Sequence, residues 1–324
     1  MKAIFKSSHL LLLAITGILS LTVVSCKKDD PVVPPPSNTI TDVVLNGADF
    51  STLEAAVLKA GLAATLSGPG PFTVFAPDNA AFAASGITSI DGLSPEQLKA
   101  ILLYHTVAAK VVAADVPVGP NAAVNTANSP AGTLYVTKNA NGVFVNGIKV
   151  KTADVPADNG VIHVIEKVLI PASGNVVATA IAAKGGDNAL DSLVVAVVRA
   201  DASYPGLITL LSTSTLTVFA PTNKAFRDLL SALSLSNISQ IPIATLYAVL
   251  THHVIGARAF SSDLVNGPLP MFAGGNATIN LTNGTGGGPT IKGAAATAIP
   301  SNIIATNILC TNGVVHVIDR VLLP

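Results

Sequence analysis

The sequence is poor in the residues from which catalytic and metal sites are built. Its 324 residues include two cysteines, six histidines and no tryptophan, and only 11% are charged. It contains neither a C-x-x-C pair nor an H-E-x-x-H motif, so the ligand spacings of zinc fingers and metalloprotease helices are missing. A G-x-S-x-G nucleophile elbow and a P-loop are also missing. We therefore expect no metal, no cofactor and no enzymatic activity, and an extracellular polymer hydrolase is the disfavoured alternative.

The charge and the cysteines exclude two further classes of protein. Lysine and arginine number 18, as do aspartate and glutamate, so no basic surface for nucleic acid is expected. If Cys26 carries a lipid, as argued below, Cys310 has no partner in the chain, which excludes a disulfide framework. Cys310 then reads as a buried thiol of the core.

Two pairs of similar strings show that the chain is a tandem repeat. N-G-V-I-H-V-I-E-K-V-L-I-P spans Asn159–Pro171, and N-G-V-V-H-V-I-D-R-V-L-L-P spans Asn312–Pro324, with nine of 13 positions identical. T-V-F-A-P-D-N-A-A-F at Thr73–Phe82 and T-V-F-A-P-T-N-K-A-F at Thr217–Phe226 share eight of ten positions. The start of the upstream string precedes the start of the downstream one by 86 residues in the first half and 95 in the second. These spacings are too long for a solenoid unit and are typical of independent domains.

We place the first domain at residues 39–171 and the second at residues 175–324. The linker Ala172–Gly174 is so short that we expect limited freedom between the domains. The longer second half has room for a loop at Asn283–Pro289, where N-G-T-G-G-G-P suits neither strand nor helix.

The N-terminus has the form of a signal peptide. Lys2 and Lys6 precede an apolar run at Leu10–Val24, and V-V-S-C ends at Cys26. This ending resembles a bacterial lipobox, which implies cleavage after residue 25 and a lipid, such as palmitate, on Cys26. The alternative is a retained membrane helix, because a span needs about 20 apolar residues.

Residues 26–38 are polar and rich in proline, and we interpret them as a tether that holds the first domain away from the membrane. The order C-K-K-D-D at Cys26–Asp30 resembles the signal that carries lipoproteins of Bacteroidota to the outer face of the outer membrane. We therefore expect a lipid-anchored protein at the cell surface.

Helices precede strands in each half. Leu53, Ala56, Val57 and Ala60 have the spacing of one helical face, as do the residues Leu190, Leu193, Val194 and Val197. Short β-branched runs follow at Thr73–Phe75, Leu134–Thr137, Val143–Val145 and Val161–Ile165, with counterparts in the second half. Helices gathered before strands favour an α+β fold over a doubly wound sheet.

One helix in each half places a histidine on its apolar face. Ser94-Pro95-Glu96-Gln97 supplies an N-cap and a capping box, and Leu98, Ile101, Leu102 and His105 then share one face. Leu246, Val249, Leu250 and His253 repeat the pattern. A buried imidazole needs a hydrogen-bond partner, for which Asn79 and Asn223 are our candidates. We interpret the histidines as structural; a binding role for the exposed neighbours of this helix, or a catalytic or metal role, stays open.

His163 and His316 lie in the middle of predicted strands, on the same face as valine and isoleucine neighbours. They too read as structural histidines.

These motifs, in this order and at these separations, resemble the fasciclin domain family over nearly all of the chain after residue 38. The resemblance rests on T-V-F-A-P-x-N-x-A-F, on Tyr104-His105 and on N-G-V-I-H-V-I-x-x-V-L-I-P, and two of the three motifs occur twice. It implies two tandem domains, each a twisted, wedge-like β-sandwich with helices along its edge. It also implies adhesion through proteins or glycans. In animal relatives the Tyr-His segment is linked to receptor binding, which maps to the candidate interaction surface Leu102, Leu103, Tyr104 and Val107. The second domain has His252 in place of the tyrosine.

We therefore expect a monomeric surface lipoprotein that binds an extracellular protein or glycan and contacts the membrane through its N-terminal lipid. The alternative is an accessory polysaccharide-binding protein. Such proteins usually display tryptophan and tyrosine, and this chain has only Tyr104, Tyr135, Tyr204 and Tyr247.

Overall fold

The structure is a computed structural model that describes residues 38–128 and 132–324. The predicted signal peptide, Cys26 and all of the tether but its last residue lie outside these ranges. Residues Ser37–Pro324 form one compact unit that contains both repeats. Among the described residues, no helix has the length and apolarity needed to cross a membrane.

The first repeat begins with helices and ends with strands, as predicted. Its helices are α1 (Ile40–Asn46), α2 (Ser51–Lys59), α3 (Ala63–Leu66), α4 (Asn79–Ala84) and α5 (Pro95–Tyr104). Its strands are β1 (Phe72–Pro77), β2 (Thr106–Val107), β3 (Gly119–Asn125), β4 (Thr133–Asn139), β5 (Gly142–Val145), β6 (Ile148–Ala157) and β7 (Gly160–Ile165).

The second repeat has the same order of elements. Its helices are α6 (Val176–Ala182), α7 (Asp191–Ser203), α8 (Leu207–Thr213), α9 (Asn223–Ala232) and α10 (Ile243–Thr251). Its strands are β8 (Leu216–Pro221), β9 (Val254–Ile255), β10 (Gly267–Pro270), β11 (Asn276–Asn280), β12 (Thr290–Lys292), β13 (Ser301–Cys310) and β14 (Gly313–Ile318). The predicted loop at Asn283–Pro289 joins β11 to β12 and contains one short 3-10 turn, Thr285–Gly287.

Each repeat contains one seven-stranded sheet. The strand orders are β2-β1-β7-β6-β5-β4-β3 and β10-β11-β12-β13-β14-β8-β9, which are the same order read from opposite edges. The two repeated strings lie side by side in each sheet as its parallel pair, with Thr73 opposite Val161 and Thr217 opposite Val314. The other strand pairs are antiparallel. The α+β class and the tandem arrangement are therefore confirmed.

Each sheet has a core on both of its faces. Along β1, Val74 and Ala76 pack with the helices, whereas Phe75 points to the other face and packs with Leu134 and Val136 of the far strands. This alternation follows the two-residue period of a strand. The sheet folds back over its own second core, which gives the sandwich that the resemblance implied.

The predicted helix signals are also present. Ser94 caps α5 through a capping box with Gln97, and Pro95 is its first residue. Leu53, Ala56 and Val57 of α2 are buried against the sheet, as is Leu193 of α7.

Candidate functional site

The segment predicted as an interaction surface lies in the interior of the first repeat. Leu102, Tyr104 and Val107 are buried, with Tyr104 only 1% exposed, and Leu103 is half-buried. The expectation that Tyr104 and its neighbours form an exposed contact surface is therefore wrong for this conformation. The reason is that α5 runs directly into β2, which places the end of the helix between the two cores.

Tyr104 has a structural role in this position. Its hydroxyl donates to the carbonyl of Thr133 at 3.0 Å and accepts from the Asn146 amide at 2.9 Å. Burial raises the pKa of Tyr104 to about 12, so the hydroxyl keeps its proton and can donate. These bonds join the end of α5 to the far strands of the sheet.

His105 and His253 hold the C-terminal tail of each repeat. His105 Nδ1 lies 2.8 Å from the carbonyl of Ile101, and its Nε2 accepts from the Leu169 amide at 2.9 Å. His253 makes the same two contacts: its Nδ1 lies 2.7 Å from the carbonyl of Val249, and its Nε2 accepts from the Leu322 amide at 2.8 Å. A carbonyl only accepts, so Nδ1 carries the proton and Nε2 is the acceptor. Burial lowers the pKa of both histidines to about 4, which keeps them neutral.

The predicted partners of these histidines, Asn79 and Asn223, are engaged elsewhere. Asn79 accepts from the Thr52 amide at 3.0 Å, and Asn223 accepts from the Ser192 amide at 2.8 Å. Each asparagine thus satisfies a free backbone donor in the first turn of α2 or α7. The histidines use backbone groups instead, so the structural role holds but the predicted partner is wrong.

His163 and His316 lie inside the sheets and join them to neighbouring loops. The Nε2 atom lies 2.8 Å from the carbonyl of Val111 in His163 and 3.0 Å from that of Ala259 in His316. Each ring stacks on the phenylalanine opposite it in the parallel pair, Phe75 or Phe219, at 5.4 Å. Both side chains are engaged in structural contacts.

Asn159 and Asn312 were missed as key residues, although both open the repeated string. Asn159 accepts from the Ile40 amide at 2.9 Å and donates to the carbonyls of Leu66 and Gly68 at 2.8 Å. Asn312 makes the same hydrogen bonds: it accepts from the Val176 amide and donates to the carbonyls of Leu211 and Ser214. Their side chains fasten the first helix of each repeat to its third.

The described residues offer no ready metal or nucleophile site. Among them, no group of three or more histidine, cysteine, aspartate and glutamate side chains is placed to hold a metal ion. Cys310 is a free, buried thiol, and burial raises its pKa, which disfavours the reactive thiolate.

The two repeats meet at a polar and aromatic junction, which the sequence did not indicate. We use the name junction for Tyr135, Thr137 and Gly147 of the first repeat with Arg258, Asp263 and Asn307 of the second. Thr137 donates to the Asp263 carboxylate at 2.8 Å, and the Asn307 amide donates to the Gly147 carbonyl at 3.2 Å. Two flanking bonds run from Asn139 to the carbonyl of Ser262 and from Asn121 to that of Arg258.

Arg258 is the centre of the junction. Its guanidinium lies 4.1 Å from the ring centroid of Tyr135, a cation–π contact across the repeats. The same group donates to the carbonyl of Gly313 at 2.8 Å and to those of Cys310 and Thr311 at 3.3 Å, at the β13–β14 turn. Arginine provides several donors in one rigid plane, so one side chain can stack on the Tyr135 ring and donate hydrogen bonds to the turn at the same time. Leu309 adds an apolar contact by packing against the second core of the first repeat.

Comparisons with known proteins agree with this architecture. The fasciclin domain model matches residues 48–171 and 195–324. Protein sll1483 of Synechocystis is 44% identical over 138 residues, which cover 41% of this chain and 73% of that protein.

Animal proteins match as well. Transforming growth factor-beta-induced protein ig-h3 of Oryctolagus cuniculus is 31% identical over 264 residues, or 80% of this chain and 35% of that protein. Human periostin is 30% identical over 146 residues, or 44% of this chain and 17% of that protein. This chain thus spans about a third or less of these two relatives.

Among solved structures, a FAS1 domain pair from the insect cell adhesion molecule Fasciclin I covers 83% of this chain and 95% of its own, with 20% identity and a TM-score of 0.37. The two matches to the family model cover most of the sequence, and each falls on one of the two seven-stranded repeats. This chain therefore belongs to the fasciclin domain family.

Proposed function

We propose that this chain is a non-catalytic adhesion protein of the cell surface that binds an extracellular protein or glycan through its paired fasciclin domains. The observation that carries the proposal is the junction, which joins the two domains by hydrogen bonds and by the Arg258–Tyr135 contact. The family supports it, since Fasciclin I is described as a cell adhesion molecule.

A fixed pair of domains suits adhesion for a physical reason. Two weak sites held on one body bind a repetitive surface with an avidity roughly a hundredfold or more above that of one site. A junction that limits movement between the domains also reduces the conformational entropy lost on binding. The pair therefore needs no single strong site.

The first test is binding of residues Ser37–Pro324 to an array of matrix proteins, envelope polysaccharides and whole cells. We expect saturable binding to at least one protein or glycan. Gly147→Ala should weaken it by about tenfold or more, because a Cβ there would lie 2.5 Å from Asn307 Nδ2 and would displace this amide from its bond to the Gly147 carbonyl, which loosens the junction. Gly86→Ala is the matched control, with φ of 72° against 75° for Gly147 and open space around its Cβ. Absence of binding to every surface in the array would contradict the proposal.

The lipid anchor is a separate part of the proposal. We propose that Cys26 carries the lipid and that the protein faces outward from the outer membrane. Cells that express the full chain should incorporate labelled palmitate into it, and Cys26→Ala should abolish the label. Protease added to intact cells should digest the protein, and protection from the protease would contradict surface exposure.

One observation favours polysaccharide binding as the second candidate. Tyr204 and Tyr247 lie side by side with ring centroids 4.4 Å apart, and Tyr204 is 38% exposed. Exposed aromatic rings are the usual platforms for sugar rings. Tyr204→Ala should abolish glycan hits in the array while sparing protein hits, and an unchanged glycan profile would remove this candidate.

A further inference from the structure

The second repeat contains a cavity of about 200 Å³ between its first three helices and the sheet. Its lining includes Val176, Ala180 and Ile181 of α6, Val194 and Val198 of α7, and Ile208 of α8. All of its lining residues are aliphatic except His253. The cavity is thus walled by hydrocarbon, and two of its residues reach the surface, Ile181 being 42% and Val198 54% exposed.

Among the described residues that line the cavity, no polar side chain is free to bind a ligand or to hold water. Both ring nitrogens of His253 are already used, by the Val249 carbonyl and the Leu322 amide. A buried water needs two to four polar partners, so a cavity with this lining stays dry. Its ligand must therefore be apolar where it is enclosed.

Comparison with the first repeat shows that the side chains, and not the fold, open this cavity. The equivalent bonds of Asn159 to the Ile40 amide and of Asn312 to the Val176 amide, both 2.9 Å, align the first helices of the two repeats. In that alignment Val176 is equivalent to Ile40, and Ala180 is equivalent to Val44. Ile40 and Val44 are completely buried, and the two cavities described within the first repeat are only about 20 Å³ each.

The same alignment shows that the lining has also lost polarity. Helices α2 and α7 are aligned by two equivalent bonds, from the Thr52 amide to Asn79 and from the Ser192 amide to Asn223. Val194 is then equivalent to Glu54. At these three positions the larger or more polar residues of the first repeat, Ile40, Val44 and Glu54, are replaced by Val176, Ala180 and Val194 in the second. Both changes favour a hydrocarbon ligand.

We propose that the second repeat binds the hydrocarbon chain of an amphiphile such as a fatty acid or lysolipid, with the polar head left outside between Ile181 and Val198. A cavity of roughly 150 Å³ with a similar lining is large enough for benzene, so about 200 Å³ accepts the end of an acyl chain. The lining that the described residues provide contains no charged residue, so the head group makes no part of the enclosed site. This inference does not depend on the proposed adhesive function.

The test uses residues Ser37–Pro324 and two probes with one chain length and different heads, decanoic acid and decanoyl lysophosphatidylcholine. We expect both probes to bind by calorimetry with a stoichiometry of one and affinities within about tenfold of each other, and butyric acid not to bind. Recognition of only one head group, or no saturable binding below the micelle concentration, would overturn the proposal.

Variants locate the probe in the cavity. Val176→Ile with Ala180→Val installs the side chains of the first repeat and should weaken binding of both probes about tenfold or more. Val194→Glu places a carboxylate in the lining and should have the same effect, whereas the exposed Ala178→Val on the same helix should bind like the parent. Circular dichroism confirms that each variant is folded. Equal affinity of the parent and the filled variant would show that the probe binds elsewhere.

Discussion

Three buried histidines should make the folded protein sensitive to mild acid. Burial lowers the pKa of His105, His253 and His316 to about 4, from the ordinary value of 6.5. The unfolded chain takes up protons at these residues near pH 6.5, and the folded chain takes them up only near pH 4. Stability that is fully present above pH 6.5 is therefore lost as the pH falls toward 4.

The expected loss is large enough to measure. Each of these histidines lowers the free energy of unfolding by about 1.4 kcal/mol per pH unit within the window, or about 3 kcal/mol in all. The second repeat contains His253 and His316, so it should lose about 6 kcal/mol, against about 3 kcal/mol in the first repeat. Domains are typically stable by about 5–15 kcal/mol, so the second repeat should unfold first.

Urea unfolding of residues Ser37–Pro324, followed by circular dichroism at several pH values above about 4.5, measures this loss. Asp78 and Asp191 have pKa values below their ordinary 3.8 and so titrate below this range. His253→Gln should reduce the slope of unfolding free energy against pH by about 1.4 kcal/mol per unit, and His105→Gln should do the same. A slope that is flat in the parent, or unchanged in both variants, would refute the reasoning.

Three other substitutions test the junction and the interior. Gly147→Ala should increase the flexibility of the pair in small-angle scattering relative to Gly86→Ala, because only the first Cβ displaces the Asn307 amide from the Gly147 carbonyl, and identical scattering curves would count against a fixed pair. His252→Phe should preserve stability or raise it by about 1 kcal/mol, since this imidazole is 1% exposed and neither of its nitrogens has a partner among the described residues. Urea unfolding checks this, and a clear loss of stability would contradict it. Arg258→Leu should cost about 2–3 kcal/mol in the same assay by leaving the Gly313 carbonyl without its charged donor, and a neutral result would mean that water replaces the guanidinium.

The fold could be predicted because its signals are local and occur twice. The repeated strings are the parallel strand pairs, so their β-branched residues and turns marked the centre of each sheet. The capping box at Ser94 and the apolar spacing around Leu53 marked the helices. Each of these signals depends on residues close together in the sequence.

The burial of Tyr104 could not be predicted from the helical period. That period identifies one buried face, and His105 lies on it. Tyr104 precedes His105 and therefore points about 100° away from it around the helix. On a helix with one buried face, that direction would face solvent. The end of α5 has two buried faces, because the folded-over sheet also covers the side on which Tyr104 packs with Leu134 and Val136. Burial on a second face depends on strands that are distant in sequence.

The partner of His105 was a different kind of error. Asn79 is polar and present in both strings, but a backbone carbonyl has two lone pairs and can accept twice. The Ile101 carbonyl, one turn before His105 in α5, accepts from the His105 amide at 3.1 Å and from its imidazole at 2.8 Å. This contact could have been predicted, whereas the junction could not, since Tyr135 and Arg258 lie outside the repeated strings.

The two repeats share a hydrogen-bonded frame but differ in how they fill it. Where Ile40 and Val44 fill the first repeat, Val176 and Ala180 leave about 200 Å³ empty in the second. The same frame accepts the larger side chains in the first repeat, so nothing in the fold requires this cavity. An apolar cavity whose single polar side chain is fully bonded is therefore better explained by a hydrocarbon ligand than by imperfect packing.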